Sequence, residues 1–259
     1  VPAALALALA LGCVYPPRSR SDPEPDRGYP TCEGGLPEGE RIAKRVLRAG
    51  PLMRERSVVE HFEIRRRGCV VVFSGRQAWS MSTTDLDVVY DAQTQLPLRV
   101  WKRTAMPAPR APRMDTRRFE LRGAQVTLAQ RTITGELEHW RLRGPVPSAV
   151  IGPGRGLLTM WLRRVRLPVG GRVREHVLDA RESMEIIREV TLRRLENRDD
   201  PVIGRRVRVY TIYGREPVYA DDDDVVIGDM MGLVPAEHVL EPLPAPAIDP
   251  GSADPQAPL

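Results

Sequence analysis

Apolar residues recur at every second position along most of the middle of this chain, and that period dictates strands. In "SVVEHFEIR" Val58, Phe62 and Ile64 fall on one side, "CVVVF" is apolar throughout, and "DLDVVYD" and "LPLRVWKR" follow with the turn-like "AQTQ" between them. "RRFELR", "AQVTLAQRTIT" and "ELEHWRLR" alternate apolar residues with Arg, Glu or Gln. The pattern returns in "RVREHVLD", "MEIIREVTLRRLE", "RRVRVYTIY" and "VVIGDMMGLV". Successive side chains of a strand point to opposite faces, so these segments read as half-buried antiparallel strands. The expected fold is mainly β, a curved antiparallel sheet or half-barrel with one or two short helices.

Two segments depart from this period. Residues 38–48, "EGERIAKRVLR", place Ile42, Val46 and Leu47 on one helical face before Gly50-Pro51, and a helix is expected there. "LLTMWLRRV" puts Leu157, Leu158, Trp161, Leu162 and Val165 on one helical stripe that stops at "LPVGG". Beyond Glu241 the Pro/Ala-rich residues 241–259 have no period and read as a disordered tail. The mainly β domain is therefore expected over residues 38–240.

The amino-terminal run "VPAALALALALGCVYPP" is uncharged and too short to span a bilayer, which takes about 20 residues. Pro16, Pro17 and the polar stretch after them argue against a helix packed on the core. Ala10, Leu11, Gly12 and Cys13 resemble a bacterial lipobox, with residues 1–12 as a signal peptide, Cys13 as the lipidated residue and 13–37 as its spacer. "ALG" also satisfies the small-x-small rule for ordinary secretory cleavage, which leaves a soluble exported protein as the alternative. An acyl chain contributes about 0.8 kcal/mol per buried methylene, so several chains would form a lasting membrane anchor.

The chain has three cysteines, an odd number that lipidation of Cys13 explains. Cys32 and Cys69 are then candidates for a disulfide, the alternative being that Cys69 is a small buried apolar residue. The net charge is +5 and arises almost wholly from arginine, as only Lys44 and Lys102 are lysines. Its concentration between Arg99 and Arg174, on alternate strand positions, reads as a solvated sheet face. A basic balance suits nucleic acid, an anionic membrane surface or a polysaccharide alike, but no nucleic-acid-binding motif or stacking aromatics accompany it, so a nucleic-acid partner is not expected.

A catalytic set is not evident. His61, His139, His176 and His238 have no zinc-binding spacing, and no G-x-S-x-G elbow accompanies the serines. Cys69 lacks an electropositive helix start that would favour a thiolate. "GPGRG", Gly152 to Gly156, precedes the central helix and either presents backbone amides to an anion beside Arg155 or is a plain loop. Asp221, Asp222, Asp223 and Asp224, with Asp229 nearby, are weak candidates for a hard cation; the spacing is not an EF-hand, and the ordinary reading is a solvated turn held open by mutual repulsion. No cofactor is expected.

An aspartate-containing turn before "LPLR", then "RRFELRGAQVTL", then a helix ending in Arg166, Leu167, Pro168 and Gly171, then a strand ending in Asp179, resembles the DUF3108-type bacterial envelope domain over residues 58–230. The resemblance implies a curved antiparallel sheet related to half-barrel lipoprotein carriers. It implies no activity. The favoured expectation is a cell-envelope lipoprotein facing the periplasm that binds an apolar or amphipathic ligand, or an envelope protein, without catalysis. The alternatives are an assembly lipoprotein docking on anionic envelope polymers and a metal-assisted enzyme using the Asp221 cluster.

Overall fold

The computed structural model describes residues 40–51, 53, 57–79, 82–106, 113–122, 125–131, 137–142, 144–181, 186–212 and 216–238. The alternating segments become two sheets. The first is built from β1 (Glu40–Ala49), β2 (Val59–Arg67), β3 (Val70–Trp79), β4 (Ser82–Asp91), β5 (Pro97–Met106), β6 (Arg113–Arg122), β7 (Gln125–Arg131) and β8 (Leu137–Leu142). These lie side by side in chain order, each antiparallel to the next.

The second sheet follows. It contains β9 (Ala149–Ile151), β10 (Arg172–Asp179), β11 (Ile186–Arg194), β12 (Arg198–Asp200), β13 (Arg205–Ile212), β14 (Glu216–Ala220) and β15 (Val226–Asp229), and curls strongly into a half-barrel. A last strand, β16 (Leu233–Pro235), leaves it and pairs with β1, making nine strands in the first sheet. The fold is thus mainly β with one short α-helix, α1 (Leu158–Val165), preceded by a 3-10 turn at Arg155–Leu157. Among the described residues, no helix is long and apolar enough to cross a membrane.

The register explains why the first sheet has an inside. Ala43, Ile64, Phe73, Val88, Val100, Phe119, Leu128 and Trp140 pair in turn across eight strands, one apolar row on one face. That row packs against Leu157, Leu158, Trp161 and Leu162 and against Val177, Leu178, Val190, Leu192 and Tyr210 of the second sheet, in one continuous core. The helical stripe read from the sequence is buried as expected, apart from Val165 at its rim. The Thr159 hydroxyl accepts the Val226 N–H at 3.1 Å, tying the helix to β15.

Three readings are corrected. Residues 38–48 do not form a helix: from Glu40 they form β1, with Ala43 and Leu47 facing the core and strands paired on both sides. The pattern fitted both periods, and pairing with β2 and β16 decides it. The sheets are also not antiparallel throughout, because β9 runs parallel to β10, the crossover being made by α1. Finally, Cys69 is not a buried strand residue. It is exposed at the turn of residues 68–69 and is disulfide-bonded, and the apolar strand begins at Val70.

Candidate functional site

Next to the apolar row, two residues further along each strand, the same inner face changes character. Phe62, Gly75, Leu86, Lys102, Arg117, Gln130 and Glu138 form one row. Leu47, Glu60, Gln77, Thr84, Thr104 and Asp115 form the next. Beyond these, Trp79 pairs with Ser82, and Met106 follows Ala105, the partner of Thr83. The face therefore grades from core through buried polar groups to an apolar lip, where Trp79 is 42% and Met106 46% exposed.

The loop at Gly152–Gly156 closes on the polar rows. Side chains at its glycines would strike the sheet: a Cβ on Gly156 would lie 2.3 Å from the Phe62 ring, and one on Gly154 2.9 Å from Glu60 Oε1. Gly152 similarly abuts Leu86, with 2.8 Å between its Cβ position and the leucine methyl. The close approach lets the backbone N–H of Gly156 donate to Glu60 Oε1 at 2.6 Å and that of Arg155 donate to Glu60 Oε2 at 2.8 Å. The loop does present its amides to an acid, and that acid is the protein's own Glu60 carboxyl group.

Glu60 is 1% exposed. Burial pushes its pKa up to about 7, against the lowering effect of the two amides and of Arg155, with Asp229 adding to the rise. The Arg155 Nε in turn donates to Asp229 Oδ2 at 3.0 Å, and Asp229 Oδ1 accepts the Leu233 N–H at 3.1 Å. One seam thus joins β2, the 3-10 turn and the β15–β16 turn. Beside it, Gln77 Nε2 donates to the Pro153 carbonyl at 2.9 Å, while Thr84 and Thr104 hydroxyls meet at 3.2 Å. A cleft of about 10 Å³ lies between Gly75, Gln77, Thr84 and Pro153, space for roughly one water.

The acidic turn is occupied otherwise. Asp221 Oδ1 accepts the N–H groups of Asp223 and Val225, and its Oδ2 accepts from Arg45 at 3.0 Å. Asp224 points inward and accepts from Arg208 Nη1 at 2.8 Å and the Tyr210 hydroxyl at 2.7 Å. The Asp223 carbonyl takes Arg163, and Asp222 is 97% exposed in its side chain. The run is a turn between β14 and β15, but repulsion does not hold it all in solvent, since Asp221 and Asp224 are drawn in by cations. Among the described residues, no three His, Cys, Asp or Glu side chains converge as a metal site.

On the outer face the arginines are matched by acids. Arg76 and Arg103 both meet Asp85, at 2.5 and 2.8 Å, and Arg99 and Arg118 both meet Glu120, at 2.6 and 2.9 Å. The turn residues of the family-like pattern also have structural work. Asp91 Oδ1 accepts the N–H groups of Gln93 and Thr94 ahead of β5, and buried Asp179 is held by Arg181 and Arg188 at 2.9 and 2.8 Å. Arg166 closes α1 in the left-handed region at φ 41°. Cys13 and Cys32 lie outside the described residues, and His61, His139 and His176 sit on three different strands.

Glu60, Gln77 and Thr84 did not stand out in the sequence. The signal for Glu60 was present: it occupies an inward position of the series Val58, Glu60, Phe62, Ile64, where the period calls for an apolar residue.

No family model and no curated protein matches the chain. Among solved structures, a DUF1089 family protein from Pseudomonas aeruginosa is similar at 15% identity, over 69% of this chain and 92% of that one, with a TM-score of 0.44.

Proposed function

We propose that this chain is a cell-envelope lipoprotein of the DUF3108 type, anchored through Cys13, that binds an amphipathic ligand or partner without carrying out chemistry on it. The observation that carries the binding half is the graded inner face, with Trp79 and Met106 exposed at its open end beside the buried Gln77 and Thr84 and the half-buried Thr104. Such a lip accepts an apolar chain or apolar side chains while the rows behind it accept polar groups. The space between the sheets is filled by core side chains, which directs the contact to this lip. Glu60 fits the reading as a structural acid, since both of its oxygens are engaged by the loop.

Two measurements test it. Full-length protein produced in a bacterial envelope should sediment with membranes and carry acyl groups on Cys13, and Cys13→Ala should release it; a mature chain with unmodified Cys13, or one retaining Val1, overturns the anchor. Dodecyl maltoside below its micelle concentration should shift the Trp79 emission to the blue, and Trp79→Phe with Met106→Ser should abolish that shift. A shift that survives both substitutions, or none in the wild type, overturns the lip as a binding surface.

A further inference from the structure

We infer that the carboxyl of Glu60 keeps a proton in the folded chain and shares it with Oε1 of Gln77, so that the contact between the Gly152–Gly156 loop and β2–β3 is a proton-dependent latch. The two residues are direct partners across β2 and β3, a register that brings opposed side chains within reach of each other. The Gln77 amide orientation is set by its neighbour, because the Pro153 carbonyl needs the Nε2 donor. Oε1 is left shut away from solvent with no donor, in a residue only 4% exposed. A buried acceptor without a partner is costly, and a proton on Glu60 is the donor it lacks.

The remaining surroundings agree. Both Glu60 oxygens accept one amide N–H, and an acid oxygen can accept one such bond while carrying its own hydrogen. From the 3-10 turn the charged group facing Glu60 is Arg155, whose Nε is already spent on Asp229 of β15. β1 presents Leu47, β4 presents Thr84, and on β3 Arg76 is ion-paired to Asp85. Asp229 opposes a second negative charge in the seam, and burial raises the Glu60 pKa to about 7, well above its ordinary value of 4.5.

Losing the proton would set a carboxylate against Oε1 and Asp229 while strengthening its bonds to the two amides. Because the folded chain holds the proton more tightly than the unfolded chain, the contribution is fully present below the unfolded pKa and is lost as pH rises through about 7.

The test is infrared spectroscopy of the full-length protein across pH, with Glu60→Gln and Gln77→Leu alongside. The wild type should show a protonated carboxyl band that disappears with a midpoint near 7 and is missing in Glu60→Gln. Gln77→Leu should lower that midpoint by about one pH unit, as expected when a hydrogen bond to the neutral acid is removed. The Gln77→Leu midpoint is read on protein whose far-ultraviolet circular dichroism matches the wild type, and the wild-type band stands as a test even where Glu60→Gln fails to fold. A wild-type band that disappears at ordinary carboxylate pH, or a midpoint that Gln77→Leu leaves unmoved, overturns the latch.

Discussion

The acidic turn at Asp221–Asp224 and the single acid Glu60 make an instructive pair. The first is a conspicuous surface turn in which Asp221 and Asp224 are answered by separate arginines, a tyrosine and backbone amides while Asp222 stays in solvent. The second is one residue on the otherwise apolar inner face of β2, yet it holds a loop on the sheet from 96 positions away. Charge density along a chain reports mainly on solvation. A charge out of step with the apolar period reports a built contact, because such a group is tolerated inside only with partners supplied.

The sharpest way to break the buried member of the pair is through its glycines. Gly156→Ala drives a Cβ to within 2.3 Å of the Phe62 ring, and overpacking against an aromatic backed by core should cost about 3 kcal/mol in urea unfolding. An unchanged midpoint would mean that the loop can lift without loss. Next comes the pH dependence of stability. With the folded pKa of Glu60 at about 7 and the ordinary value at 4.5, stability should fall on the order of 3 kcal/mol between about pH 4 and pH 8. The comparison is the wild-type slope against that of Glu60→Gln, and equal slopes would remove Glu60 as its source.

The exposed member should respond less and unevenly. Asp224→Asn weakens the acceptor of Arg208 and Tyr210 and should cost about 2 kcal/mol, whereas Asp222→Asn should leave the melting temperature unchanged. Equal effects of the two would mean that the turn acts as a collective charge. Smallest of all, excess calcium should leave the melting temperature where it was, and a rise abolished by Asp221→Asn would revive a cation site there.

Much of the fold was legible because period two is a direct image of a half-buried strand: Val88, Val100, Phe119 and Leu128 declare their face without knowledge of their neighbours. Residues 40–49 misled because Ile42, Val46 and Leu47 suit a helix as well as a strand, and only their pairing with β2 and β16, the latter nearly two hundred positions away, decides between them. The site was less legible. "GPGRG" was visible as an amide donor, but its acceptor lay in another segment, and only the packed fold brings Gly154 against Glu60. Cys69 is disulfide-bonded, and Cys32, the partner expected from the cysteine count, lies outside the described residues.

The order of strands in the first sheet has a kinetic consequence. β1 to β8 are joined as successive neighbours, so their pairing closes only short loops and is accessible early in folding. The Glu60–Gly156 seam and the β1–β16 pairing join distant parts of the chain and should be absent from the folding transition state. Substitutions at the seam should therefore speed unfolding while leaving the refolding rate nearly constant. On that account the loop acts as a late clasp whose strength sets how long the closed form survives.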